Sequence, residues 1–231
     1  MKKTLLTLTL PAALISGTAM ADSSYVTGNA QLHSDGIHGS NATSTLEAGH
    51  TFDNTYGGFT AYAEIDGIQL GTIQTGDDSP GQVGAGLTVG GEQSFNLSDK
   101  LWVAAGYQHL MSLGKTVQYR PLVKIGYNFD NGIALSNRTR AHIDATDTNN
   151  DMDLRMDNRI GYDVTDMDLT LSYNNVYVIA GDTEAGASRD NTMDHELRAT
   201  WTRSGVQPYF EYRNQSDNNN NAFVFGASYG F

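Results

Sequence analysis

The chain has 231 residues, no cysteine, and a formal net charge of -12 from 14 Lys and Arg against 26 Asp and Glu. This excludes a disulfide framework, and the acidic balance gives no footing for a nucleic-acid partner. A mean hydropathy of -0.39 with 25 glycines, 12 tyrosines and only 4 prolines is odd for a soluble globule and suggests strands with one wet face.

The first segment, MKKTLLTLTLPAALISGTAMA (1–21), has two lysines, an apolar stretch from Leu5 to Ile15 and an Ala19-Met20-Ala21 cleavage site, the pattern of a secretory signal peptide. Its apolar part is too short to span a bilayer, and nothing downstream approaches the roughly 20 apolar residues of a transmembrane helix. The mature domain is therefore expected over 22–231.

From Asp22 to Asp99 there is no lysine or arginine. Short turn signals at FDNTYG (52–57) and NLSDK (96–100) alternate with polar loops around HSDGIHGSN (33–41) and GIQLGTIQTGDDSPG (67–81). Strands between them carry Tyr62, Glu64 and Glu92, which are expected on a wall facing the basic part of the chain.

The next stretch, LWVAAGYQHL (101–110), has two similar faces, so its register can slip by one. After a loop at MSLGK (111–115), VQYRPLVKIGYNF places Arg120 and Lys124 on one face and Tyr119, Val123, Ile125, Tyr127 and Phe129 on the other. Past the FDNG turn (129–132), the strand near 132–143 alternates Arg138, Arg140 and His142 with Ile133, Leu135, Asn137, Thr139, Ala141 and Ile143. Asn137 and Thr139 are imperfect lipid neighbours. Turning the strand over is worse, because a midplane arginine facing lipid costs about 2 to 4 kcal/mol and two would be exposed. MDLRMDNRIGYD likewise sends Arg155 and Arg159 inward and Leu154, Met156, Ile160 and Tyr162 outward. Asp153 and Asp157 share the inner face of that strand, so its arginines have acids to pair with. Arg120, Lys124, Arg138 and Arg140 have none on their own strands and are the stronger candidates to meet a solute.

Between these two strands, DTNNDMD (147–153) imitates the start of a calcium loop, but Met152 sits at the glycine position and Asn158 at the final glutamate position, so a solvated loop is the better reading. The six histidines show no metal-ligand spacing, and no cofactor is expected.

Further turns at VTD (164–166) and SGV (204–206) and loops at 181–190 and 214–221 follow, with inward Arg198 and, nearer a loop, Arg213. The last strand, AFVFGASYGF, sets Phe223, Phe225, Ala227, Tyr229 and Phe231 against small or polar residues with a period of two. Five turns and six loops connect about twelve strands of a length that spans a bilayer when tilted, the pattern of an all-β, transmembrane antiparallel β-barrel. A terminal phenylalanine after alternating aromatics resembles the C-terminal assembly signal of Gram-negative outer-membrane barrels, which implies the cell outer membrane.

YRPLVKIGYNF, LSNRTRAH, DNTMD (190–194) and VQPYFEYRNQ, together with the overall length, resemble the oligogalacturonate-specific monomeric porins of the KdgM type, relatives of a sialic-acid channel. The resemblance implies a monomeric, non-enzymatic channel that carries acidic oligosaccharides such as oligogalacturonate or alginate oligomers, and that contacts outer-membrane lipid and lipopolysaccharide. Arg120, Lys124, Arg138, Arg140, Arg155, Arg159 and Arg198 are then the substrate-guiding residues. A two-residue repeat spaces guanidinium groups by roughly 6.6 to 6.8 Å along a strand, and their planar forks match a uronate carboxylate. The family pattern has basic residues on two facing walls, whereas here none precedes Lys100 in the mature part. The alternatives are a general small-solute porin, a plugged structural barrel, or a barrel enzyme such as a phospholipase.

Overall fold

The computed structural model describes residues 22–37, 40–71, 85–146, 150–183, 186–215 and 220–231. The signal-peptide segment, residues 72–81 of the second loop and residues 147–149 of the calcium-like motif lie outside them. Twelve strands follow in chain order: β1 (Ser23–Ile37), β2 (Ser40–Asn54), β3 (Gly57–Gln69), β4 (Gly86–Asn96), β5 (Leu101–Ser112), β6 (Lys115–Asn128), β7 (Ile133–Asp144), β8 (Asp153–Val164), β9 (Leu169–Ile179), β10 (Thr192–Trp201), β11 (Gln207–Gln215) and β12 (Asn220–Gly230). Each is antiparallel to its chain neighbour, and β12 returns to β1, so the sheet is closed. Closure removes the unpaired edges that a strand cannot expose in hydrocarbon. At the seam, the Ser24 and Phe231 backbones exchange both hydrogen bonds, at 2.8 and 2.9 Å.

The alternation read from the sequence sorts onto two surfaces. Outward lie exposed Leu46, Ile65, Val89, Val123, Ile125, Leu171 and Phe225. At the short-turn end Phe52, Phe59, Phe95, Tyr127, Phe129, Tyr162, Trp201 and Tyr229 add an aromatic belt, as expected where a barrel meets the membrane interface. Inward lie buried threonines, glutamines and charges, among them Thr27, Thr43, Thr60, Gln108, Asp157 and Glu211. The register of β5 settles with Trp102, Ala104 and Gln108 inside.

Four inner-face aromatics lie across glycines of adjacent strands. A Cβ at Gly49 would stand 2.6 Å from the Tyr25 ring, at Gly90 2.5 Å from Tyr62, at Gly126 2.3 Å from Trp102 and at Gly226 2.2 Å from Tyr209. The glycines are thus recesses that let wide rings lie along the wall, where an alanine would push them toward the lumen axis. The β5–β6 connection is tighter than the expected loop: Leu113 and Gly114 turn the chain with φ of 50° and 74°, the left-handed pair that fits a two-residue hairpin.

Candidate functional site: the charged lumen

All seven basic residues expected inside do face the lumen, and Arg213 joins them; the register that aligns β6, β7 and β8 makes one wall of Arg120, Lys124, Arg138, Arg140, Arg155 and Arg159. Lys124 pairs with Arg138, Arg138 with Asp157, and Arg140 with Arg155 across successive strands. Side by side at interstrand distance, guanidinium groups repel unless a carboxylate lies between them. Asp157 fills that role. Its Oδ2 accepts from Arg138 Nε at 2.9 Å and lies 3.8 Å from Arg140 Nη2. Its Oδ1 accepts from Arg155 Nε and Nη2 at 3.0 and 2.9 Å. Three arginines from two strands thus share one buried carboxylate. Arg140 also donates to Gln108 Oε1 at 2.8 Å, reaching over β6 to β5.

Arg138 and Arg140 have no acid at i±2 on their own strand, yet both take one from the next. Lys124 does the same in the other direction. It lies 2.6 Å from Glu92 Oε1 on β4, with β5 between them offering only Ala104 and Gly106. A Cβ at Gly106 would stand 2.6 Å from that of Glu92, so the glycine lets the pair close. Glu92 consequently belongs to the basic wall and not to the facing one.

Arg120 differs. Its Nε donates to Gln118 Oε1 at 2.8 Å, and among the described residues no carboxylate lies in ion-pair range of it. The bridging pairs that would tie residues 120 and 121 to β7 are missing from the β6–β7 ladder. Pro121, which has no N–H to give, accounts for that local break. His142 sits on the same face of β7, its Nε2 buried without a hydrogen-bond partner among the described residues.

A second cluster forms further round the barrel. Glu211 is almost fully buried; its Oε2 accepts from Arg198 Nε at 2.5 Å and its Oε1 from Arg213 Nε. Arg213 lies 3.8 Å from Glu196 and donates to Gln31 Oε1 at 3.3 Å. The Arg198 guanidinium stands 4.3 Å over the Tyr209 ring, a cation–π placement. Arg159 donates to Ser172 Oγ at 2.8 Å. Tyr209 and Tyr62 thus spend their polar ends and part of their faces on the wall, since Gln108 donates to the Tyr62 hydroxyl at 2.7 Å and Asn29 to that of Tyr209 at 3.3 Å.

Opposite β8 in a twelve-stranded ring stands β2. There Glu47 accepts from the Tyr25 hydroxyl at 2.8 Å and is the register partner of Glu64 on β3, while Thr45 donates to Asp66 at 2.5 Å. The lumen therefore has a basic wall on β6 to β8 facing an acidic one on β2 and β3. Residue types alone gave the walls. The partners of Arg138, Arg140 and Lys124 were invisible to within-strand spacing, because Asp157, Gln108 and Glu92 reach them across strands.

The family model for the oligogalacturonate-specific porin protein KdgM matches residues 34–226. The chain belongs to the KdgM porin family. No curated protein matches the sequence. Among solved structures, a KdgM porin in complex with disordered oligogalacturonate superposes with a TM-score of 0.67 at 16% identity, over 90% of this chain and 99% of that one. The NanC porin gives 0.65 at 17%, over 88% and 98%. The COG4313 outer membrane channel from Pseudomonas putida F1 gives 0.66 at 12%, over 97% and 98%. This KdgM-family barrel is accordingly an outer-membrane porin, with the closed twelve-strand sheet expected from its alternation.

Proposed function

We propose that this porin passes acidic oligosaccharides, such as oligogalacturonate or alginate oligomers, by diffusion, without cofactor or energy source, and that one barrel suffices as the conduit. One observation carries the reading: on the β6–β8 wall Arg138, Arg140 and Arg155 share the single carboxylate of Asp157, and Arg120 beside them has none among the described residues. Four guanidinium charges against one carboxylate leave a local surplus of three, in a lumen whose low-dielectric walls focus the field. A uronate carboxylate meets the unpaired fork of Arg120 bidentately and the outer nitrogens of its neighbours by charge-assisted bonds. Arg159 and Arg198 extend the track along β8 and β10, and Lys124, neutralised by Glu92, bounds it. Several partly engaged sites bind firmly enough to recruit and weakly enough to release, as transport requires. Lipid surrounds the outward face, and lipopolysaccharide meets the loop end. The family's description and the oligogalacturonate-bound KdgM porin support the same substrate class.

A general small-solute porin or a charge-plugged barrel is the second reading, favoured by the two clusters in which charges already satisfy each other: Lys124 with Glu92, and Arg198 and Arg213 with Glu211. Liposome swelling decides between them. With this porin reconstituted, trigalacturonate should enter faster than a neutral trisaccharide of equal length. Equal or slower entry would remove acidic sugars as the preferred cargo.

A further inference from the structure

The external mouth opposes the cargo that the basic wall attracts. In sequence, the six connections on the loop side hold eight Asp and Glu but a single cation, Arg189. An acidic sugar arriving from outside therefore meets like charge all round the rim except at one place.

That place is fixed by the fold. Arg189 Nε donates to Gly181 O at 2.7 Å, and its Nη2 donates to Oδ1 of Asp153, the first residue of β8. Gly181 N donates to the same Oδ1 at 3.0 Å, and Asp151 N donates to Asp182 O at 2.9 Å. The connection after β9 is thus tied back onto the one before β8, and Gly181 belongs at the junction because a Cβ there would strike the Asp151 carbonyl. Asp153 lies on the inner face, the register partner of His142 and two residues above Arg155. One such step is roughly 6.6 to 6.8 Å along a strand. Arg189 is accordingly held one step outside the basic wall. It is also the most open of the paired arginines there, with 40% of its side chain exposed against 29% for Arg155 and 18% for Arg138. Its Nη1 makes no hydrogen bond among the described residues.

We infer that Arg189 forms an entry site for the carboxylate of an acidic sugar at the outer mouth, distinct from the track within the barrel. The site rests on the reading of this porin as a channel for acidic oligosaccharides. An ion pair open to water holds weakly, so a uronate exchanges with Asp153 on the guanidinium fork, which matches a carboxylate in plane. From there Arg155 and Arg120 are the next cations inward. A charge on the rim of a site acts on association and its salt dependence, whereas buried partners set release. Arg189 governs how often a sugar is captured from outside, and the lumen arginines govern how long it stays.

Single channels in a planar bilayer separate the two, because block frequency reads capture and block duration reads release. With oligogalacturonate on the loop side, Arg189→Gln should lower the frequency about threefold or more and flatten its dependence on salt. Block duration, and the frequency with sugar on the turn side, should match wild type. The substitution lies beyond the strand ends, so the barrel is retained. Asp153→Asn combined with Arg189→Gln removes both charges of the pair, and its loop-side frequency should stay below that of wild type. A double variant restored to the wild-type frequency would show that Arg189 only neutralises Asp153 and would overturn the entry site, as would an unchanged frequency in Arg189→Gln alone. Wild-type channels that oligogalacturonate never blocks would overturn the acidic-sugar reading itself, and the entry site with it.

Discussion

At the scale of single residues, the lumen turns on Arg120 and Asp157, which do opposite things. Among the described residues Arg120 has only Gln118 to hold it, so Arg120→Gln should weaken block of the channel by oligogalacturonate about three- to tenfold, the worth of one net hydrogen bond near 1 kcal/mol. Its urea midpoint should stay within the spread of wild type. Asp157→Asn removes the carboxylate that Arg138, Arg140 and Arg155 share. Leaving like charges packed without their partner should cost about 3 kcal/mol in urea titration of the refolded barrel, while single-channel reversal potentials shift toward anions. If instead Asp157→Asn were as stable as wild type, the arginines would be held by the strands alone. The inward facing of these residues was legible in the sequence, because an arginine has nowhere else to go in a lipid-facing strand. The pairing of Arg138 and Arg140 was not. Arg138 and Arg140 show no acid at i±2, and only the β7–β8 register reveals that Asp157 lies between them.

Elements fit together here through ring-on-glycine contacts. Trp102 on β5 lies over Gly126 of β6, and Tyr209 on β11 over Gly226 of β12. Gly226→Ala should force the Tyr209 ring off the wall and away from Arg198, costing about 1 to 3 kcal/mol by overpacking and narrowing conductance in single-channel traces. Unchanged stability would mean that the ring has room to move. These contacts also explain why LWVAAGYQHL resisted reading: its two faces are alike in hydropathy, and what fixes Trp102 inward is a recess on another strand. Turn types were half legible. The short turns fell at their Asn, Asp and Gly signals, whereas MSLGK proved a two-residue hairpin whose Leu113 takes a left-handed φ of 50°, a conformation a leucine does not advertise.

For the whole molecule, alternation with period two and a terminal aromatic strand pointed to a barrel, because every strand obeys the same division between lipid and water, and the five turns and six loops set its strand number at about twelve. The last residue adds to a seam already held by the β1–β12 ladder. Deleting Phe231 removes the two backbone bonds to Ser24 and an exposed aromatic ring, and should lower the temperature at which the folded band is lost in heat-modifiability gels. The unequal placement of charge also survives folding, giving an acidic wall on β2 and β3 against a basic one on β6 to β8. The claim that this wall conducts acidic sugars is tested most directly by single-channel recording in a planar bilayer under a salt gradient, with oligogalacturonate added to one side. An anion-selective reversal potential with concentration-dependent block is the predicted result. Cation selectivity without block would contradict it and show that the arginines are held by their own carboxylates.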